Sequence, residues 1–305
     1  SYLGEPFYDE ELLNLYAKEQ ELIAEFYTIG AECEAEAETD AWYDACALPL
    51  AEVLAELTLL RNQLARYVGY DSYTDYAWDF SFYRDYTPDQ AEAYLTRVGQ
   101  VLYDPYVTVN ASDAWDISYQ YCAETDTFQF VKNAANAMGG TPAEAFEILE
   151  NNHLYDIAYG ENKFNSSFET YLWTYHQPFV FMNPQLGQMD KLTFGHEFGH
   201  FCNDFASFGS GAGIDVKEFF SQGMEYLSIG CVEGRQELET LKLADSLCIY
   251  VEQAAYAWFE HQIYALPAEE LTAEKAAEVF GEAMQRFGMD VWGIEGRDLV
   301  GVHHF

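Results

Sequence analysis

The sequence predicts a mainly α-helical protein interrupted once by a small β-sheet. Three observations carry that prediction. Apolar residues recur at helical spacing through most of the chain, and Pro or Gly stands at the ends of several of these stretches. One segment, residues 166–183, switches to closely set aromatic and β-branched residues. With 305 residues, half of them apolar, the chain can bury a sizeable core as one large domain or two smaller ones.

The elements follow in order. Residues 10–29 place Leu12, Leu13, Leu15, Tyr16, Leu22, Ile23 and Phe26 among acids, the pattern of an amphipathic helix. Residues 51–68 repeat it and end at Gly69, a natural C-cap. Thr87-Pro88-Asp89 opens a helix running to Leu102, with Pro at an early position where its missing N–H costs little. Thr141-Pro142-Ala143-Glu144 opens another in the same way. Residues 166–183 read as two short strands joined around His176-Gln177-Pro178. Such a pair either offers an edge to a peptide backbone or only packs the core, and the pattern leaves both open. Residues 237–264 and 272–287 are long helical stretches. The expected division is a helical lobe over 1–155 and a second region over 156–305.

Composition narrows the partners. The formal charge of −38 repels nucleic-acid backbones and excludes that class. The same field either attracts cationic peptides or serves solubility. The 24 Tyr, 22 Phe and 6 Trp rule out a solvated acidic chain. Six scattered cysteines with no C-x-x-C pair predict reduced thiols and a cytoplasmic setting. No apolar run approaches a membrane span. Residues 1–16 are acidic and amphipathic, unlike a signal peptide, although a chain starting at Ser leaves a removed leader open. Nothing in the pattern encodes an oligomeric state.

The chemistry concentrates in Gly195-His196-Glu197-Phe198-Gly199-His200. On a helix, His196 and His200 stand at i and i+4, so both imidazoles leave one face a turn apart. That placement suits two positions of a tetrahedral zinc site. Glu197 lies beside them and can reach water on the metal without ligating it. Asp190 is expected to cap this helix. The competing account is two partly buried histidines on an ordinary helix.

A zinc site needs a third protein ligand. Asn203 and Ala206 stand where a metzincin needs Gly and His, which excludes that class. The remaining source is a Glu on the next helix. After the turn Phe208-Gly209-Ser210-Gly211-Ala212-Gly213, Asp215 reads as an N-cap and Glu218 as its capping-box partner. Yet Glu218, Ser221, Gln222 and Glu225 form a polar stripe on a helix otherwise filled by Phe219, Phe220, Met224, Tyr226 and Leu227. A carboxylate in such surroundings calls for a cation or a metal. Glu218 is the expected third ligand, with capping as its alternative role. Glu225 is a candidate to hold a ligand histidine through its other ring nitrogen. The glycine turn follows no strand and lacks a P-loop Lys, so a nucleotide loop is disfavoured.

These residues resemble the thimet oligopeptidase and oligoendopeptidase F group of zinc peptidases. Residues 195–200 are similar to its metal helix, and 215–225 to the helix whose Glu, three after the Asp, binds zinc. Arg61-Asn62-Gln63 and Gly69-Tyr70-Asp71-Ser72-Tyr73-Thr74-Asp75-Tyr76-Ala77 resemble a recurring oligoendopeptidase F segment. The resemblance implies a two-lobed, mainly helical zincin-type fold with a small sheet next to the active-site helix and a channel for short peptides. It implies one Zn2+ on His196, His200 and Glu218, with Glu197 as general base. Val302-His303-His304-Phe305 is similar to the start of a segment whose His and tyrosines stabilise the oxyanion, which makes His304 a candidate donor. The loop between the ligand helices is shorter than in the family. The tyrosines are not reached before Phe305, and relatives usually carry more chain before Ser1, so an excised middle portion is expected. The spacing of His200 and Glu218 also suits zinc aminopeptidases, although no acidic motif for a free amine stands out. A non-catalytic peptide-binding module is the rival from another class.

Overall fold

The computed structural model describes residues 9–34, 40–209, 213–232, 235–294, 296 and 299. Among these, ten α-helices and one three-stranded sheet account for the fold, which is mainly helical. The chain divides into two compact units, Ser1–Thr108 with Cys248–Phe305, and Val109–Leu247.

In the first unit, α1 (Glu10–Glu34) packs against α2 (Asp40–Tyr67). Leu15, Leu22 and Phe26 meet a stripe of Leu50, Leu57 and Leu64, and all six side chains are buried. The apolar pattern placed this helix from residue 51, two residues after Pro49, which inside a helix forfeits a hydrogen bond and crowds the preceding turn at a cost of about 3 kcal/mol. The helix nevertheless begins at Asp40 and runs through Pro49. Each buried Leu contributes roughly 1.5–3 kcal/mol, so the stripe outweighs the proline. α3 (Tyr73–Phe80) is a short helix that periodicity did not single out; Ser72 caps it, its side chain accepting from the Asp75 N–H. α4 (Pro88–Asn110) extends past Leu102, through Pro105. α10 (Ala273–Phe287) starts on a Thr272 cap and buries Ala276, Val279, Phe280, Ala283, Met284 and Phe287, a stripe at helical spacing.

Arg61 and Asn62 turn out to be structural. The Arg61 guanidinium donates to Glu19 at 2.6 Å and to the Tyr264 hydroxyl at 3.1 Å. Asn62 accepts from the Tyr73 N–H at 3.0 Å and donates to the Tyr264 carbonyl at 3.2 Å. The pair thereby ties α2 to the start of α3 and to the later part of α9 (Gln236–Ala265).

Beside this network, burial pushes the Glu260 carboxyl up to about 7, against the pull of Arg61 and Arg84. A carboxyl raised in the folded state contributes stability that is full below its unfolded value, near 4.5, and is lost as pH rises through about 7. Glu260→Gln keeps the neutral shape at every pH. Its melting temperature is expected to match the parent at pH 5 and to exceed it by several degrees at pH 8. Equal differences at both pH values would remove the basis for this assignment.

One expectation about the cysteines does not hold. Cys46 is disulfide-bonded, whereas Cys122, Cys202, Cys231 and Cys248 carry free thiols. The uniformly reduced state read from the cysteine spacing is therefore incorrect. No described helix is long and apolar enough to cross a membrane.

The second unit holds α5 (Glu124–Met138), α6 (Gly140–Asn151), the sheet, α7 (Met189–Ser207) and α8 (Ile214–Gly230). β2 (Ser167–Leu172) and β3 (Gln177–Met182) are the two expected strands, paired antiparallel with Ser167 opposite Met182, but they join at residues 173–176, and Gln177 and Pro178 already belong to β3. β1 (Tyr155–Ile157), too short to leave a pattern in sequence, runs parallel to β3 on its other side. The order β1-β3-β2 therefore leaves β2 at an edge. Val180 and Met182 of β3 enter a core with Phe130, Phe146, Phe194 and Phe198. Between β1 and β2, the Lys163 ammonium donates to the Asp156 carboxylate and to the carbonyls of Ala158 and Met182, pinning the loop. The division expected at 155/156 falls inside this unit. β1 pairs with β3 and α5 and α6 pack on α7, so the helices before residue 155 share a core with the metal helix.

Candidate metal centre

The centre is built on α7 and α8. One face of α7 is fixed by its apolar residues: Leu192, Phe194, Phe198, Phe201 and Cys202 are buried in the core. The helix does not begin on an Asp190 cap. Gln188 occupies that position, and the Asp190 carboxylate turns back to accept the N–H groups of Gln185 and Gly187 at 3.0 and 3.2 Å. Asp190 thus secures the loop that leads from β3 into α7. Gly199 lets α8 approach closely, since a Cβ there would lie 2.6 Å from the Ser221 Cα and 2.9 Å from the Phe220 carbonyl oxygen.

That approach sets Glu218 opposite the histidines. His196 Nε2 and His200 Nε2 are 3.2 Å apart. Glu218 Oε2 lies 3.4 Å from His196 Nε2, and Oε1 lies 3.5 Å from His200 Nε2. Among the described residues this is the one group of three or more His, Cys, Asp or Glu side chains placed to hold a metal ion. Ligands on a tetrahedral zinc at about 2.0–2.2 Å sit roughly 3.3–3.6 Å from one another. The donor set, two imidazole nitrogens and a carboxylate with one oxygen toward each, fits zinc. Asp215 is not the cap of α8, which begins at Ile214 after Gly213, and Glu218 faces the histidines instead of the helix end. Ser221 Oγ stands 3.0 Å from Glu218 Oε2 and 2.9 Å from the Glu218 carbonyl oxygen, so its single proton is shared between them.

Behind the first ring, His196 Nδ1 lies 2.9 Å from Glu225 Oε1. A carboxylate on Nδ1 keeps that nitrogen protonated and leaves Nε2 as the free donor atom. Burial alone would lower the His196 pKa, but the hydrogen bonds of Glu218 and Glu225 outweigh it and push it up to about 10. His200 is lowered, chiefly by burial, with His196 and Lys217 adding to the effect. Glu218 is held below the usual carboxylate range because its contacts with His196 and His200 outweigh burial.

Glu197 is buried next to the cluster, facing the edge strand. Around it, the Ser167 side chain and the Glu169 backbone N–H favour its charged form. Burial dominates and raises it to about 7, with Glu218 adding and His196 opposing. Glu169 itself is pushed up to about 8 by burial and by the nearby Asp204 and Glu197, against Lys217. Sequence reading missed Ser167, Glu169 and Ser221. The period of two along β2 puts Ser167 and Glu169 on one face, and the polar stripe of α8 already contained Ser221, so both signals were present. His304 lies outside the described residues.

Comparison with known proteins gives a fold and no more. No family model matches the chain, and no curated protein does. Among solved structures, PZ peptidase A with a bound inhibitor matches with a TM-score of 0.74 at 15% identity, over 92% of this chain and 60% of that one. A Bacillus anthracis protein provisionally called oligoendopeptidase F matches with a TM-score of 0.76 at 16% identity, over 93% and 62%. A second protein of that provisional name matches with a TM-score of 0.73 at 17% identity, over 92% and 59%. The chain spans about three fifths of the length of these proteins. Its described fold resembles that of the oligopeptidases, with His196, His200 and Glu218 gathered as one possible metal group.

Proposed function

We propose that this chain carries the catalytic centre of a zinc-dependent endopeptidase acting on short oligopeptides. One observation carries the reading: His196, His200 and Glu218 gather as one possible metal group with the Glu197 carboxylate alongside. The likeness of fold to PZ peptidase A and oligoendopeptidase F supports it.

His196, His200 and Glu218 would hold the metal. When bound, zinc supplies a Lewis acid that polarises a peptide carbonyl and brings the pKa of water toward ~7. Glu197 takes the proton from the attacking water and passes it to the leaving amine. Its burial keeps its proton affinity near neutrality, where one group serves as both base and acid. The Ser167 side chain and the Glu169 N–H favour the charged carboxylate, the form that accepts the proton. Glu225 fixes the His196 ring, and Ser221 contacts Glu218. The edge of β2 is available for a peptide backbone, which binds through its own amides and so accepts varied side chains.

The first test is metal content. The purified chain is expected to hold about one zinc, and His200→Ala to hold almost none. Absence of zinc from the parent chain after refolding with excess metal would defeat the proposal. N-terminally blocked peptides then separate the endopeptidase from an aminopeptidase, which leaves them intact.

A further inference from the structure

Behind Glu225 lies a buried cation that the chemistry above does not use. The Lys242 side chain, on α9 within the second unit, is 0% exposed. Its ammonium lies 2.6 Å from Glu225 Oε2, 2.9 Å from Gln222 Oε1 and 3.2 Å from Asp245 Oδ2. Three acceptors meet the three N–H donors of an ammonium, so its hydrogen bonding is complete. The two carboxylates it bridges are themselves almost wholly buried, at 5% and 7% exposure. A group of this kind is costly to bury, and the same volume of apolar side chain often gives equal or greater stability. Stability alone therefore does not account for it.

What the arrangement does provide is direction. Glu225 has two oxygens with two different partners, Oε1 toward His196 Nδ1 at 2.9 Å and Oε2 toward Lys242 at 2.6 Å. A carboxylate held at one oxygen only can rotate about its last torsion, which is broad. Held at both, it presents a fixed acceptor to the imidazole, and the ring plane follows. Gln222 and Glu225 come from α8, and Lys242 and Asp245 from α9, so the ammonium joins these two helices and, through Glu225, reaches His196 on α7.

We infer that Lys242 is a positioning residue of the metal centre: it clamps Glu225 and through it orients His196 toward the ion. The inference rests on the zinc reading above. Partners that orient metal-bound histidines typically change metal affinity by about 10–100-fold when removed, and the clamp belongs to that chain of contacts.

The test is a double-mutant cycle read as zinc affinity by chelator competition. Lys242→Met alone would leave Glu225 and Asp245 facing each other, so the cycle is run on an Asp245→Asn background. There, the change from Lys to Met leaves the group of three with the same net charge as in the parent chain. Far-UV circular dichroism and a melting curve establish that each variant is folded. With Glu225 present, Lys242→Met is expected to weaken zinc binding by about 10–100-fold. With Glu225→Gln also present, the same change is expected to cost less than about threefold, because the residue it acts through is gone. An equal loss in both backgrounds, or a loss below about threefold with Glu225 intact, would overturn the inference. Failure of the parent chain to bind zinc would overturn the metal reading first, and this inference with it.

Discussion

Glu197→Gln is expected to hold as much zinc as the parent chain and to lose peptide hydrolysis by about 10²–10⁴-fold. The substitution keeps the size of the side chain and removes only its ability to take a proton. The three donor residues do not include Glu197, so the metal group is untouched. The buried position is already one in which the carboxyl favours its neutral form, with a pKa of about 7, so a neutral amide fits it without strain. Paired measurements of zinc content and of cleavage of a quenched fluorescent peptide decide the matter. Undiminished turnover in a zinc-loaded Gln variant would mean that another group moves the proton.

The second large effect is expected at Gly199. An alanine Cβ there would stand 2.6 Å from the Ser221 Cα and 3.0 Å from the Met224 Cβ, and backbone cannot yield as a flexible side chain does. α7 and α8 would have to separate. Overpacking of this kind costs about 1–3 kcal/mol and sometimes more. Separation also withdraws Glu218, which lies on α8 one turn before Ser221. Gly199→Ala should therefore lower both the urea midpoint and the affinity for zinc. Gly195→Ala is the control. Its Cβ would meet nothing closer than the Ser228 Oγ at 3.7 Å, and alanine is favoured over glycine inside a helix by about 1 kcal/mol. Gly195→Ala should be neutral or stabilising. If the two variants behaved alike, the close approach of α7 and α8 would not be what sets Glu218 in place.

Much of this site could be read before any coordinates. His196 and His200 follow from one helical period, and Glu218 followed from a polar stripe on an apolar helix. Both are local patterns, visible wherever residues three and four apart share a face. The errors were also local. Asp190 and Asp215 each precede a helical stretch, as caps do, yet the first ties down a loop and the second sits inside the opening turn. Capping depends on backbone angles at one residue, which composition does not fix. What could not be read at all was long-range. Ser167 and Glu169 reach Glu197 only because β2 lies against α7, and Lys242 reaches Glu225 across two helices. The disulfide at Cys46 likewise depends on a meeting in space that spacing along the chain does not reveal. Among the elements, β1 was invisible for a simpler reason: three residues are too few to show a period.

The packing of β2 against α7, which sets Glu169 beside Glu197, has a consequence for selectivity. If Glu197 moves the proton as proposed, the edge of β2 is a ruler whose zero mark is the Glu197 carboxylate. A peptide aligned along that edge by its amides would be counted off in strand repeats of about 3.3 Å from that mark. Which bond is cut would then be decided by position along the backbone and by the peptide's own length, whatever side chains it carries.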